Sequence, residues 1–267
     1  MTLDEIEATL RDEKSGLKEI TGRTAGNFTV AMLAVADSAL SDHPLRLVGT
    51  GTLVTVNDVH YILTAAHVWN KVQQRGSMLG LTLAEGIDHE FLIPNENIVA
   101  FGPEYNPASI DWGPDLAFLR IPTDRLGTIK SHRNFYNLSL ERPGGPLDCV
   151  KTNAVIGTPG ELAEHWPRYA VLQVTAFFLE TNPRRSTRGQ FDYLEYTVDL
   201  NFPGVPSNFG GVSGGGLWEL FLYFCEKTQK IEIIERLIGV GYAQTPIVNG
   251  HRTIRFHGYE SIRAAKP

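Results

Sequence analysis

The chain has 267 residues, of which 42% are hydrophobic and 20% charged, and its formal net charge is −6. These values are typical of a soluble globular protein that is long enough to bury a sizeable core. The negative charge disfavours a nucleic-acid partner, because phosphate binding requires a basic surface. A membrane partner is disfavoured too, because no segment approaches the run of about 18 apolar residues that a spanning helix needs.

The first 25 residues predict an amphipathic helical extension. Their apolar residues recur at steps of three, four and seven and so share one helical face: Leu3, Ile6, Leu10, Leu17 and Ile20. We expect this face to pack on the rest of the chain, with docking to another protein as the alternative.

The N-terminus and the cysteines bear on the cellular compartment. The N-terminal segment is acidic and has no basic stretch followed by an apolar one, so we expect no secretory signal. Two cysteines, Cys149 and Cys225, are too few for a secreted domain that relies on disulfides, and we expect both to be free thiols. The expected compartment is the cytoplasm.

From residue 27 onward, short runs of β-branched and aromatic residues recur between clusters of Gly, Pro, Asn and Asp. The runs are NFTVAMLAV, LRLVGTGTLVTV, HYILTAAHV, DLAFLRIP, YAVLQVTAFFLE, YLEYTVDL, KIEIIERLIGVGYA and RTIRF. Many short strands without long periodic helices predict an all-β protein, a barrel or a sandwich. The mid-chain segment Pro143-Gly144-Gly145-Pro146 predicts a linker between two β halves. The basic run at residues 184–188, RRSTR, predicts a solvated loop.

Residues 208–220, NFGGVSGGGLWEL, place one serine among five glycines. Glycine this dense indicates sharp turns or a close backbone approach, because only a residue without Cβ allows both at low cost. Three kinds of site use such a stretch: a phosphate-binding loop, the nucleophile elbow of an α/β-hydrolase, and the active-site loop of a serine protease. A Walker-type phosphate loop is excluded, because Leu217-Trp218-Glu219 stand where Lys and then Ser or Thr are required.

The nucleophile elbow is disfavoured, although Gly211-Val212-Ser213-Gly214-Gly215 matches its G-x-S-x-G pattern. In that fold the acid and the histidine follow the serine along the chain. No Asp follows Ser213, although glutamates, His251 and His257 do. The elbow also requires alternating strands and helices, which the strand-rich sequence does not predict.

A serine protease needs a histidine and an aspartate before the serine, and both are present. The segment YILTAAHVW places His67 just after a predicted strand, and PDLAFLRI places Asp115 at the head of another. A serine hydroxyl is a poor nucleophile and needs an adjacent base, which an imidazole titrating near neutrality can supply. A carboxylate would fix the imidazole tautomer. Asp111 in SIDWGPD is a competing acid, but the strand pattern begins directly after Asp115.

With the blocks TAAHV, DLAFL and GVSGGG in this order, the sequence resembles the chymotrypsin-like serine proteases over roughly residues 27–265. The resemblance implies two packed six-stranded antiparallel β-barrels, one over about residues 26–140 and one over about 147–257. Together they would form a protease domain at 26–267, after the extension at 1–25. The near absence of cysteine is more similar to bacterial members than to animal ones.

The resemblance also implies site residues. His67, Asp115 and Ser213 would be catalytic, and the backbone amides of Gly211 and Ser213 would form the oxyanion hole. No metal or organic cofactor is implied. A substrate pocket is expected around Ser207, Tyr242, Ala243 and Gln244, with Ser207 replacing the aspartate by which trypsin-like members select Arg or Lys.

Two residues depart from the family pattern. Val212 stands where the animal digestive enzymes have an aspartate that pairs with a newly cleaved N-terminus, and Gly216 stands where proline is common. We therefore expect no activation by that ion pair and a looser loop around the serine. The expected function is regulated, limited cleavage of a protein or peptide substrate, with a regulatory protein as a further partner. The alternatives are an esterase and a catalytically silent, protease-like scaffold or binding module.

Overall fold

A computed structural model describes residues 1–36, 45–83, 90–102, 114–140, 144–166, 169–179, 182–202 and 205–267. The competing acid Asp111 and Pro143 of the predicted linker lie outside these residues. The described chain is mostly β, in two sheets that follow an N-terminal helical segment. The predicted all-β class with two antiparallel sheets is confirmed, but the described sheets have eight and seven strands where six each were predicted.

The N-terminal segment forms two helices, α1 (Leu3–Arg11) and α2 (Leu17–Gly26), where the apolar pattern predicted one. The chain leaves the first helix through a single 3₁₀ turn, and Gly16 then adopts a left-handed φ of 70°. This break rotates the second helix out of register with the first. Ile6, Leu10 and Leu17 are buried, but Ile20 is 57% exposed.

The first sheet contains the strands of the N-terminal half in the order β5-β4-β1-β2-β3-β7-β6, with the short β8 parallel to β2. Its strands are β1 (Thr29–Val35), β2 (Leu45–Val56), β3 (Val59–Thr64), β4 (Met78–Thr82), β5 (Glu90–Pro94), β6 (Val99–Phe101), β7 (Ala117–Arg120) and β8 (Tyr136–Asn137). Two further helices belong to this half, α3 (Ala66–Arg75) and α4 (Leu126–Lys130).

The second sheet has the order β12-β9-β15-β16-β17-β14-β13, and β10 and β11 form a separate two-stranded sheet. Its strands and the small pair are β9 (Val150–Gly157), β10 (Glu164–Trp166), β11 (Tyr169–Val171), β12 (Thr175–Leu179), β13 (Arg184–Arg188), β14 (Phe191–Asp199), β15 (Gly216–Cys225), β16 (Lys230–Gln244) and β17 (His251–Gly258). A last helix, α5 (Tyr259–Ala265), follows directly. The predicted loop at residues 184–188 is therefore an edge strand paired with β14.

The two sheets repeat one pairing pattern. In the first, β1 lies between β2 and β4, and β3 pairs with the last long strand, β7. In the second, β9 lies between β12 and β15, and the β13–β14 hairpin pairs with the last strand, β17. In both halves the first strand therefore lies between two others and a later strand pairs with the last one, although the full strand orders of the two sheets differ.

One apolar cluster joins the N-terminal helices to both sheets. The fully buried Trp218 of β15 stacks on Phe28 at 5.2 Å between ring centroids and meets Tyr136 edge-on at 5.2 Å. Ile6 and Leu10 of α1 belong to the same cluster. The first sheet, the second sheet and the N-terminal helices thus share a core, and the apolar face of α1 packs on its own chain.

Candidate active site

His67 lies at the start of α3, two residues into a helix that no side chain caps at Ala65. The first amides of a helix have no intrahelical acceptor. Asp115 supplies one, because its Oδ1 accepts a hydrogen bond from the His67 backbone N–H at 2.8 Å. The other carboxylate oxygen, Oδ2, lies 2.5 Å from His67 Nδ1. One carboxylate therefore holds both the backbone and the ring of His67.

This double contact selects one histidine tautomer. An ionised carboxylate only accepts hydrogen bonds, so the proton belongs on Nδ1 and the lone pair on Nε2. Asp115 is 3% exposed and His67 is 14% exposed, so water competes weakly for the contact. In the neutral form of this ring, Nε2 is therefore the nitrogen that can accept a proton.

The loop that carries Ser213 depends on glycine at two positions. Gly211 and Gly214 have φ values of 95° and 88°, which residues with a Cβ rarely adopt. At Gly214 a Cβ would also lie 1.9 Å from the backbone oxygen of Thr50 and 2.2 Å from the Thr64 hydroxyl. The loop then enters strand β15 at Gly216, not a helix.

Three buried threonines of the first half lie against this loop, and we call Thr50, Thr52 and Thr64 the threonine clamp. The Thr50 N–H donates to the Ser213 carbonyl at 2.8 Å, and its hydroxyl donates to the Gly211 carbonyl at 2.7 Å. The Thr52 hydroxyl donates to the carbonyl of Gly214 at 3.1 Å. The clamp therefore fixes the loop through its backbone. The clamp has no sequence signature, because threonine in a strand carries no motif.

The threonine clamp also connects the serine loop to the histidine. The Thr64 hydroxyl, three residues before His67, donates to the Thr50 carbonyl at 2.7 Å. Gly49 lies between the two segments. A Cβ at this position would stand 2.6 Å from the Val68 side chain and 2.9 Å from the backbone carbonyl oxygen of Ser213. The structure thus joins His67 directly to Asp115 and holds the backbone of Ser213 against strand β2, next to the segment that carries His67.

The two amides predicted to bind an oxyanion differ from their neighbours. The Val212 N–H donates to Phe209 O at 3.0 Å, and the Gly214 N–H donates to Gly241 O at 2.7 Å. Within the described ranges, the N–H groups of Gly211 and Ser213 donate to no acceptor. Such a pair of unsatisfied donors can bind a negatively charged oxygen.

Val212 replaces the carboxylate of the family pattern with an apolar anchor. Its side chain is 2% exposed and belongs to a cluster with Val155, Phe209 and Leu217. At Gly157, a Cβ would stand 2.8 Å from Val212 Cγ1, so the backbone of β9 lies directly against it. The loop is therefore held here by packing and by the threonine clamp.

A second histidine lies behind Asp115. His257 of β17 is fully buried, and its Nε2 accepts a hydrogen bond from the Asp115 backbone N–H at 3.1 Å. The rings of Tyr242 and Tyr193 stand 4.4 Å and 5.2 Å from its ring. Burial lowers the pKa of His257 to about 4, so the ring is neutral near pH 7. The sequence analysis considered His257 only as the base of a hydrolase elbow.

The residues predicted to line a substrate pocket separate into two groups. Ser207 and Gln244 lie in one polar network, in which the Ser207 hydroxyl donates to Glu161 at 2.9 Å and Gln244 Oε1 accepts from Phe209 N at 2.9 Å. Arg252 joins it through a 2.7 Å hydrogen bond to the same Gln244 oxygen. Tyr242 is instead buried beside His257, and Ala243 packs against the first-half core.

Glu161 was not predicted, because it lies more than 40 residues before the serine loop. Its Oε2 also accepts from the Asn208 backbone N–H at 2.8 Å. Hydrogen bonds from Asn208 and Ser207 lower the pKa of the Glu161 carboxyl. As a carboxylate, Glu161 therefore holds Ser207 and Asn208, the residues that lead into the serine loop.

Among the residues that the structure describes, no group of three or more His, Cys, Asp or Glu side chains could hold a metal ion. No helix in the described ranges is long and apolar enough to cross a membrane. Cys149 and Cys225 are both free thiols.

Comparisons with known proteins add little. No protein-family model matches the sequence, and no curated protein matches it either. Among solved structures, the chain is similar to one from work on the coupled folding and binding of the intrinsically disordered Sesbania mosaic virus VPg protein. That likeness has 13% sequence identity and a TM-score of 0.42, and it covers 85% of each chain. Similarity at this level supports no conclusion about function.

Proposed function

We propose that this protein is a serine endopeptidase of the chymotrypsin-like kind, which cleaves peptide bonds through an acyl-enzyme intermediate. The observation that carries the proposal is the double contact of Asp115 with His67, beside a serine loop clamped to the same strand region. Asp115 Oδ1 lies 2.8 Å from the His67 backbone nitrogen, and Asp115 Oδ2 lies 2.5 Å from His67 Nδ1. The contacts between the two halves of the chain support it further, because the site residues come from both.

The proposed chemistry uses each group in turn. His67 Nε2 takes the proton of the Ser213 hydroxyl while Oγ bonds to the substrate carbonyl carbon, and Asp115 stabilises the imidazolium that forms. The amides of Gly211 and Ser213 stabilise the resulting oxyanion. His67 then returns the proton to the leaving amine, and the C–N bond breaks. Water, activated by His67, cleaves the acyl ester and releases the acid product.

The nucleophile elbow fits this site less well. An elbow serine stands at a strand-to-helix turn, with the acid and the base later in the chain. Here Ser213 leads into strand β15, and the carboxylate that holds His67 precedes it. We therefore propose the protease chain order for this site, with a protein or peptide as the substrate.

A fluorophosphonate probe tests the proposal, because it reacts only with an activated serine. Wild type should label, whereas Ser213→Ala and His67→Ala should not. Ser131→Ala, at an exposed serine after α4, is the matched control and should label as wild type does. A peptide library then distinguishes a protease from an esterase that turns over only small esters. A folded wild type that does not label, even after residues 1–25 are deleted or a cell lysate is added, would instead be a silent scaffold.

A further inference from the structure

His257 links the two halves of the molecule at the candidate triad. It belongs to β17 of the second sheet, while Asp115 lies two residues before β7 of the first. The contact is a backbone one, from the Asp115 N–H to His257 Nε2 at 3.1 Å. We infer that neutral His257 is a positioning residue, which holds the Asp115 backbone so that its carboxylate meets His67, and that it releases this hold on protonation. The inference rests on the proposed function.

The contacts of Asp115 explain why its backbone matters. The carboxylate must reach both the backbone N–H and Nδ1 of His67, at 2.8 Å and 2.5 Å. Both distances change if the Asp115 backbone rotates or shifts. A displacement of about 1 Å at such a group lowers catalytic rates by up to about 100-fold. His257 fixes the opposite side of the residue and thus limits that displacement.

The surroundings of His257 keep it neutral. Its ring packs against those of Tyr193 from β14 and Tyr242 from β16, and the carboxylates of Asp115, before β7, and Asp192 of β14 act on it electrostatically. Arg255, two residues earlier on β17 and on the same face of the strand, forms an ion pair with Glu195, with 3.0 Å between Nε and Oε1. The two aspartates favour a proton on His257, but burial outweighs them and lowers its pKa to about 4.

Protonation would break the contact. A neutral Nε2 accepts the Asp115 N–H, whereas a protonated Nε2 is itself a donor and faces that N–H without an acceptor. At low pH, protonation of His257 therefore breaks its hydrogen bond with the Asp115 backbone, and this step is separate from the protonation of His67. Simple packing predicts no such step, because an aromatic ring of similar size would serve equally well.

Three variants separate positioning from packing. His257→Gln keeps an acceptor near the position of Nε2 and cannot become charged, whereas His257→Phe keeps a ring and removes the acceptor. His132→Gln, at an exposed histidine after α4, is the matched control. The readout is the second-order rate constant of fluorophosphonate labelling between pH 3 and 8. The near-ultraviolet circular dichroism of each variant reports whether it is folded.

We expect His257→Phe to label about 10-fold to 100-fold more slowly than wild type at pH 7.5, and His257→Gln to stay within about threefold. The ratio of wild-type to His257→Gln rate constants should be constant above about pH 5.5 and fall about 10-fold by pH 3. Equal rates for His257→Phe and wild type, or a ratio that stays constant to pH 3, would overturn the inference. If His257→Phe does not fold, the ratio alone decides.

A second readout does not depend on activity. The proton between His67 Nδ1 and Asp115 should give a downfield NMR resonance, which His257→Gln retains and His257→Phe shifts or loses. If wild type does not label, the proposed function fails, and this resonance then tests the positioning by itself. An unchanged resonance in a folded His257→Phe would overturn the positioning role.

Discussion

Replacing Thr50 by valine should weaken both the fold and the serine loop. Valine has nearly the same shape, so the change removes only the hydroxyl. That hydroxyl donates to Gly211 O at 2.7 Å and accepts from Thr158 N at 3.0 Å. Each backbone group left unpaired in a buried site costs about 1–3 kcal/mol. Because Gly211 is only partly buried, we expect a loss of about 3 kcal/mol in the free energy of unfolding.

Denaturant unfolding followed by tryptophan fluorescence measures this loss. For a protein of this size it corresponds to a decrease in Tm of about 6–12 °C. Fluorophosphonate labelling of Ser213 should slow as well, because the Gly211 carbonyl loses its anchor and the adjacent oxyanion amides lose their alignment.

Thr29→Val is the matched control for Thr50→Val. Thr29 lies on the neighbouring strand β1 and is equally buried, but its hydroxyl has no hydrogen-bond partner in the part of the chain that the structure describes. Its removal should change the unfolding free energy by less than about 0.5 kcal/mol, or stabilise the fold. If the two variants unfold at the same denaturant concentration, the threonine clamp does not hold the loop.

Three further outcomes follow from the site. Gly214→Ala should lower the free energy of unfolding by more than about 4 kcal/mol or prevent folding, because the new Cβ would lie 1.9 Å from Thr50 O. The control is Gly127→Ala in α4, where a Cβ meets open space, and it should leave the melting temperature unchanged. Asp115→Asn should label at least about 1,000-fold more slowly with little loss of stability, because an amide that donates to His67 Nδ1 selects the wrong tautomer; labelling at the wild-type rate would exclude the triad. Lowering the pH should destabilise wild type more than His257→Gln. The folded pKa of His257, about 4, lies below its ordinary value of 6.5, so the unfolded chain takes up the proton first. Stability present above pH 6.5 is then lost progressively toward pH 4, by about 3 kcal/mol in total, and parallel urea melts at pH 7, 5.5 and 4.5 should show the difference.

The fold class could be predicted because most strands carry their own signal. Strands β2 and β16 are long runs of β-branched and apolar residues, and both form where the pattern indicated. The basic strand β13 has no such signal, since its five residues become a strand only by pairing with β14. Helix α3 was missed for a related reason. The run HYILTAAHV continues the strand pattern, and the acceptor for the first amides of the helix comes from Asp115, 48 residues further along the chain.

The site was predictable only where its chemistry restricts residue type. His67, Asp115 and Ser213 are recognisable by order and by flanking blocks, because nucleophile, base and acid each allow few residues. Thr50 and His257 act through backbone groups of other residues, and many side chains can bind a backbone group. Their roles depend on how β2 meets the serine loop and how β17 meets the start of β7, which no local pattern reports.

Several contacts that hold the site run between the two halves of the chain. Thr50 and Thr52 of β2 bind a loop of the second half, and His257 of β17 binds Asp115, two residues before β7. Neither sheet alone can therefore hold Asp115, His67 and Ser213 in place. The buried stack of Trp218 on Phe28 fixes the same junction from the core side. Substitutions that loosen that stack should lower labelling of Ser213 before they unfold either sheet, because the geometry of the site is set by how the sheets dock.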